Sequence, residues 1–138
     1  MECNVEQNET IEMTVEMAYR DKTNKNGWRI PLCKLKEAFE TERSKFLLES
    51  KTWAISDGYK YIEGIDHVEL EHQVGVLLSV DLENSTARIQ VKKQYKEEVM
   101  DNMEMALFIS AKGTFTNGLI LDPAVLYCAL MDKRKTCY

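Results

Sequence analysis

Apolar and polar residues alternate strictly over residues 10–19, with Ile11, Met13, Val15, Met17 and Tyr19 on one side and Thr10, Glu12, Thr14, Glu16 and Ala18 on the other. A period of two predicts a half-buried strand. Residues 1–9, which lack this pattern, read as a flexible N-terminal segment ahead of one domain over 10–138. Residues 21–27 are polar and end in Asn26-Gly27, a pair that tolerates positive φ, so a loop is expected. Pro31 suits a first helical turn, and Leu32, Leu35, Ala38 and Phe39 then recur at helical spacing in a charged background. One amphipathic helix ending near Leu48 is predicted. Residues 51–65 carry Trp53, Tyr59 and Tyr61 between Gly58 and Gly64 with no clear period, which fits either a long loop or a short irregular strand.

Farther along, Val74, Val76, Leu78, Val80 and Leu82 share one predicted face, and Ala87, Ile89 and Val91 share another after the turn at Glu83-Asn84-Ser85. An antiparallel hairpin follows from this. A short helix is expected from Gln94 to about Met103, with Tyr95, Val99 and Met103 along one side. The apolar runs 105–109 and 125–131 favour strand, although Pro123 leaves a helical start open for the second. The expected fold is therefore α+β: a curved, mostly antiparallel sheet or small β-barrel with one main amphipathic helix and a short second helix.

Composition narrows the class without changing this outline. The chain has 138 residues, 44% hydrophobic and 30% charged, which is enough to build one core without disulfide or metal staples. Its net charge of −5 repels a phosphate backbone unless basic residues cluster. The groups Lys22–Lys25–Arg29, Lys92–Lys93–Lys96 and Lys133–Arg134–Lys135 are short and read as solvated faces, so a nucleic-acid partner is not expected. A basic protein partner suits the charge. The polar, acidic N-terminus does not read as a signal peptide and no apolar run approaches a membrane span, so a cytoplasmic protein is expected.

Candidate chemistry is sparse. Cysteines stand at 3, 33, 128 and 137 with no C-x-x-C pair and no histidine at ligand spacing, so neither a metal site nor a redox dithiol is indicated. Cys33 and Cys128 lie in apolar stretches and read as buried, reduced thiols. His67 and His72 supply the chain's only neutral-pH bases, within the acidic stretch Asp66-His67-Val68-Glu69-Leu70-Glu71-His72. On a strand their spacing of five puts them on opposite faces. Ser110 follows Leu107-Phe108-Ile109 and precedes Ala111-Lys112-Gly113, a strand end before a glycine turn where backbone N–H groups can stabilise an oxyanion. Asp122 before Pro123 is a candidate orienting carboxylate and equally an ordinary turn residue. No phosphate loop, H-E-x-x-H or paired-carboxylate pattern is present, and no cofactor is expected.

Several stretches, taken in order, resemble the head-maturation (prohead) serine proteases of tailed bacteriophages, a family with a herpesvirus-assemblin-like β-barrel. The first strand leads into Asn24-Lys25-Asn26-Gly27-Trp28-Arg29-Ile30-Pro31 and then Leu35-Lys36-Glu37-Ala38-Phe39, similar to the family's N-x-N-G-R-x-Y-P-like segment and helix. The hairpin around Val74–Asp81 and Ala87–Val91, a short helix and Ser110-Ala111-Lys112-Gly113, similar to an S-x-R-G-like nucleophile segment, continue the order. Where many of these proteases carry a histidine, between helix and hairpin, the counterpart Leu48-Glu49-Ser50-Lys51-Thr52 has none.

The resemblance implies a phage-type structural or protein-interaction module, acting in head assembly or by binding another protein such as a capsid or scaffold protein. Its sharper alternative is an active serine endopeptidase with Ser110 as nucleophile, His67 or His72 as base and Asp122 orienting it. A further alternative, drawn from charge rather than likeness, is a small acidic inhibitor of a host defence protein.

Overall fold

The computed structural model describes residues 9–25, 27–57, 73–111, 115–116 and 118–135. In chain order the elements are β1 (Thr10–Glu16), α1 (Leu32–Phe39), α2 (Glu42–Glu49), β2 (Trp53–Asp57), β3 (Gln73–Asp81), β4 (Thr86–Lys92), α3 (Lys96–Asn102), β5 (Met103–Ala111), β6 (Phe115–Thr116), β7 (Leu119–Ile120) and β8 (Pro123–Asp132). Six strands form one sheet in the order β1-β4-β3-β2-β8-β5, while β6 and β7 pair separately. Every pairing is antiparallel except β2 with β8. The fold is α+β with a curved, mostly antiparallel sheet, as the alternating patterns predict.

Curvature comes from the end of β1. Beyond Glu16 the chain leaves β4: Met17 N–H donates to the Ser85 carbonyl at 2.7 Å and Ala18 N–H to the Met105 carbonyl at 2.8 Å. Met17 and Met105 thus bridge the two outermost strands of the sheet, and both side chains are fully buried in the half-barrel they complete. Ser85, held at φ 53, fixes this corner with its hydroxyl, which donates to the Tyr19 carbonyl at 2.9 Å. Leu35, Ile55, Leu77, Ile89, Val91 and Leu130 fill the same core. Burying each such side chain contributes about 1.5–3 kcal/mol, so this interior outweighs any single surface contact.

Three expectations are corrected. The single helix over 32–48 is two, because Thr41 adopts extended backbone and caps a new helix: its hydroxyl oxygen accepts from Ser44 N–H at 3.2 Å. Ser44, itself buried, donates its hydroxyl to the Ala38 carbonyl at 2.7 Å and ties the two helices across the break. The five apolar residues expected on one face of β3 divide between faces, since Val74 and Leu78 are extra residues of two bulges. Ile55 pairs with Gly75 but Ser56 with Gln73, and Leu77 pairs with Ile89 but Ser79 with Arg88. Each bulge reverses the alternation that follows it. Of the two readings left open for 51–65, a short strand is present, β2, in which Trp53, Ile55 and Ser56 are all buried, so no alternation marks it; Gly58, Tyr59, Tyr61 and Gly64 lie outside the described residues. Cys33 is exposed on α1, whereas Cys128 is buried in β8 as expected.

The segment 125–131 is strand, and Pro123 begins it rather than a helix, taking the first ladder position where its missing N–H costs least. Among the described residues no helix is long and apolar enough to cross a membrane.

Candidate functional site

The residues singled out for chemistry fall at different places around β5 and β8. Ser110 pairs with Ala124 and Ala111 with Pro123, so the backbone of Ser110 lies at the end of the ladder next to Asp122. Asp122 is exposed in the bend between β7 and β8. His67 and His72 lie outside the described residues. The segment that carries them leaves the sheet at Asp57, opposite Leu130, and returns at Gln73, opposite Ser56, which in turn pairs with Ala129. Ala129 pairs with Ala106, four residues before Ser110 on β5, or about 13 Å along the strand. Gln73 is also three strands away from β5, about 14 Å around the sheet. The structure brings the backbone of Ser110 and Asp122 to one end of the β5–β8 ladder.

What distinguishes β5 is its place as the last strand of the sheet among the described residues. One side of the strand is fully paired with β8 from Met103 to Ala111. The extra residue at the ladder's irregularity, Leu126, belongs to β8, because Phe108 pairs with Tyr127 and Ile109 with Val125; β5 carries no bulge in this ladder. On the other side, among the described residues, only Met105 is engaged, through the Ala18 N–H. That bond shows the Met105 carbonyl pointing away from β8, and strand alternation aims the backbone groups of Leu107 and Ile109 the same way. They have no backbone partner among the described residues.

From Met105 to Ala111 the strand reads Met-Ala-Leu-Phe-Ile-Ser-Ala, without a charge or a proline. Natural edge strands are usually blunted by one or the other, because an open row of N–H and C=O groups pairs with any strand that meets it. This edge was legible in principle as an uncharged run between Glu104 and Lys112. Periodicity alone did not say which strand would end the sheet.

The cysteines add no reactive centre. Cys128 pairs with Leu107 in the ladder, and burial pushes its thiol up, a shift that the Trp53 indole opposes. Among the described residues no group of three or more histidine, cysteine or acidic side chains gathers as a metal site requires.

Comparison of the chain with protein-family models, with curated proteins and with solved structures finds no match.

Proposed function

We propose that this chain is a phage-type protein-interaction module that takes an extended segment of another protein as an added strand on β5, in head assembly or a related binding role. The observation that carries the reading is the unbulged, uncharged edge of β5 with the backbone of Leu107 and Ile109 turned outward. Each backbone hydrogen bond made by an incoming strand contributes about 0.5–1.5 kcal/mol net, and alternate side chains of that strand set its specificity. Capsid and scaffold proteins are the partners that the family resemblance implies. Nucleic acid is the less favoured partner: the net charge is −5, and Arg29, Lys36, Arg88, Lys93 and Arg134 each meet a carboxylate.

The test is amide exchange of Leu107 and Ile109 in the free protein and in mixtures with candidate head proteins. Selective slowing of both amides in the complex is expected, together with loss of binding in Ile109→Pro, which removes an outward N–H. A complex in which both amides exchange at the free rate would sink the proposal.

A second reading, the serine endopeptidase, is favoured by the shared position of Ser110 and Asp122 at one end of the ladder. Its base, His67 or His72, lies outside the described residues. Removing a nucleophile costs several orders of magnitude in turnover, so wild type and Ser110→Ala should differ grossly in processing head proteins if this reading holds. Equal processing, or none by either, eliminates it.

A further inference from the structure

Resting on the strand-addition reading of β5, we infer what the added strand carries: two apolar side chains two residues apart, one beside Leu107 and one beside Ile109, on the core side of the sheet. Met105, Leu107 and Ile109 share that side, because side chains alternate along a strand and β5 carries no bulge. Their ladder partners on β8, Leu130, Cys128 and Val125, are buried. Met105 is buried as completely, and Met17, just past β1, arrives beside it. Leu107 and Ile109 pack against the same core but are only half-buried. The core side of β5 thus loses its cover within two residues of its last contact with the β1 end.

The backbone accounts for where the cover ends. Met17 and Met105 form an isolated parallel bridge, and the next rung of such a ladder would run from the Arg20 N–H to the Leu107 carbonyl. Among the described residues that rung is not made. Arg20 instead folds its guanidinium onto the carbonyls of Met17 and Tyr19, at 3.1 and 2.7 Å. An incoming strand that bonds Leu107 and Ile109 takes the line along β5 that the chain leaves after Ala18. Side chains that face each other across a ladder lie on the same side of the sheet, so the residues opposite Leu107 and Ile109 project onto the half-covered part of the core. Apolar side chains there continue the cover that Met17 begins. Polar ones would lose water against Leu107 and Ile109 without gaining a partner. The residue between them turns to the other face, where this contact does not select it.

The probe is a pair of seven-residue threonine peptides with two isoleucines, at the third and fifth positions in one and at the third and fourth in the other. Composition, charge and strand propensity are the same, but only the first lays both isoleucines on one face. Titrated into the wild-type protein, the alternating peptide should shift and slow the Leu107 and Ile109 amides and bind about five- to tenfold more tightly than its isomer, the effect of one further apolar side chain partly leaving water. Leu107→Thr, and separately Ile109→Thr, should shrink that ratio toward one. Equal affinities, with both amides slowed alike by the two peptides, would overturn the inference and leave strand addition on β5 standing. Slowing by a head protein but by neither peptide would overturn it as well. Amides that neither the peptides nor a bound head protein slow would remove strand addition itself.

Discussion

Gly75 lies so close to Gln90 that a β-carbon on it would overlap the Gln90 carbonyl oxygen and come within 2.9 Å of Val91 Cγ1. Gly75 pairs with Val91 on one side and Ile55 on the other, in the middle of the sheet. Neither a carbonyl nor a strand centre can yield cheaply. Gly75→Ala is therefore expected to destabilise the fold by about 1–3 kcal/mol, read as a lower urea midpoint.

Two hydroxyls, those of Thr41 and Ser44, hold the break between α1 and α2, and that of Thr41 caps the second helix. Thr41→Ala removes the oxygen that accepts from Ser44 N–H and should cost about 1 kcal/mol, while Thr41→Ser keeps the acceptor and most of the stability. Urea titration of the three proteins checks the order. Equal midpoints for alanine and serine would show that the cap contributes nothing.

Cys128 and Cys33 should differ in reactivity. Burial raises the Cys128 thiol, and the Trp53 N–H beside it opposes the shift without reaching hydrogen-bond geometry. Iodoacetamide applied to the native protein should modify exposed Cys33 and spare Cys128, as peptide mapping would show. A raised thiol stays neutral in the folded state while the unfolded chain ionises above the ordinary value of 9.0. Stability should consequently decline as pH rises past that value, more steeply in wild type than in Cys128→Ala. Parallel pH profiles for the two would contradict the assignment.

The Asp81 carboxyl is held below its ordinary value of 3.8, chiefly by the hydrogen bond from the Asn84 side chain. A depressed carboxyl contributes stability above the unfolded value and loses it as pH falls through the folded one. Carbon-detected titration should find Asp81 titrating below 3.8 in wild type and closer to it in Asn84→Ala. No movement on that substitution would assign the shift elsewhere.

By itself, the sequence determined the local pieces whose signal is a short-range period. Alternation placed β1 and β4, the Asn26-Gly27 and Glu83-Asn84-Ser85 breaks marked the turns, and Val99 identified the buried side of α3. Class and overall curvature followed, because several half-buried strands and few helices leave few other ways to close a core. Tertiary structure decided the rest. Thr41 is an ordinary polar residue until Ser44 and Ala38 surround it, so one helical period concealed two helices. Val74 and Leu78 look like any strand residues, and only pairing with β2 and β4 turns them into bulges that divide the apolar face. Cys33 sits in an apolar stretch of sequence but on the outer side of α1. The candidate chemistry was legible as residue types alone: the pairing of Ser110 with Ala124 brings its backbone near Asp122 at the end of the β5–β8 ladder, a proximity made between segments rather than within one. The open edge of β5 was hidden for the same reason, since whether a strand is internal or terminal depends on which other strand arrives beside it, and Met17 arrives only as far as Met105.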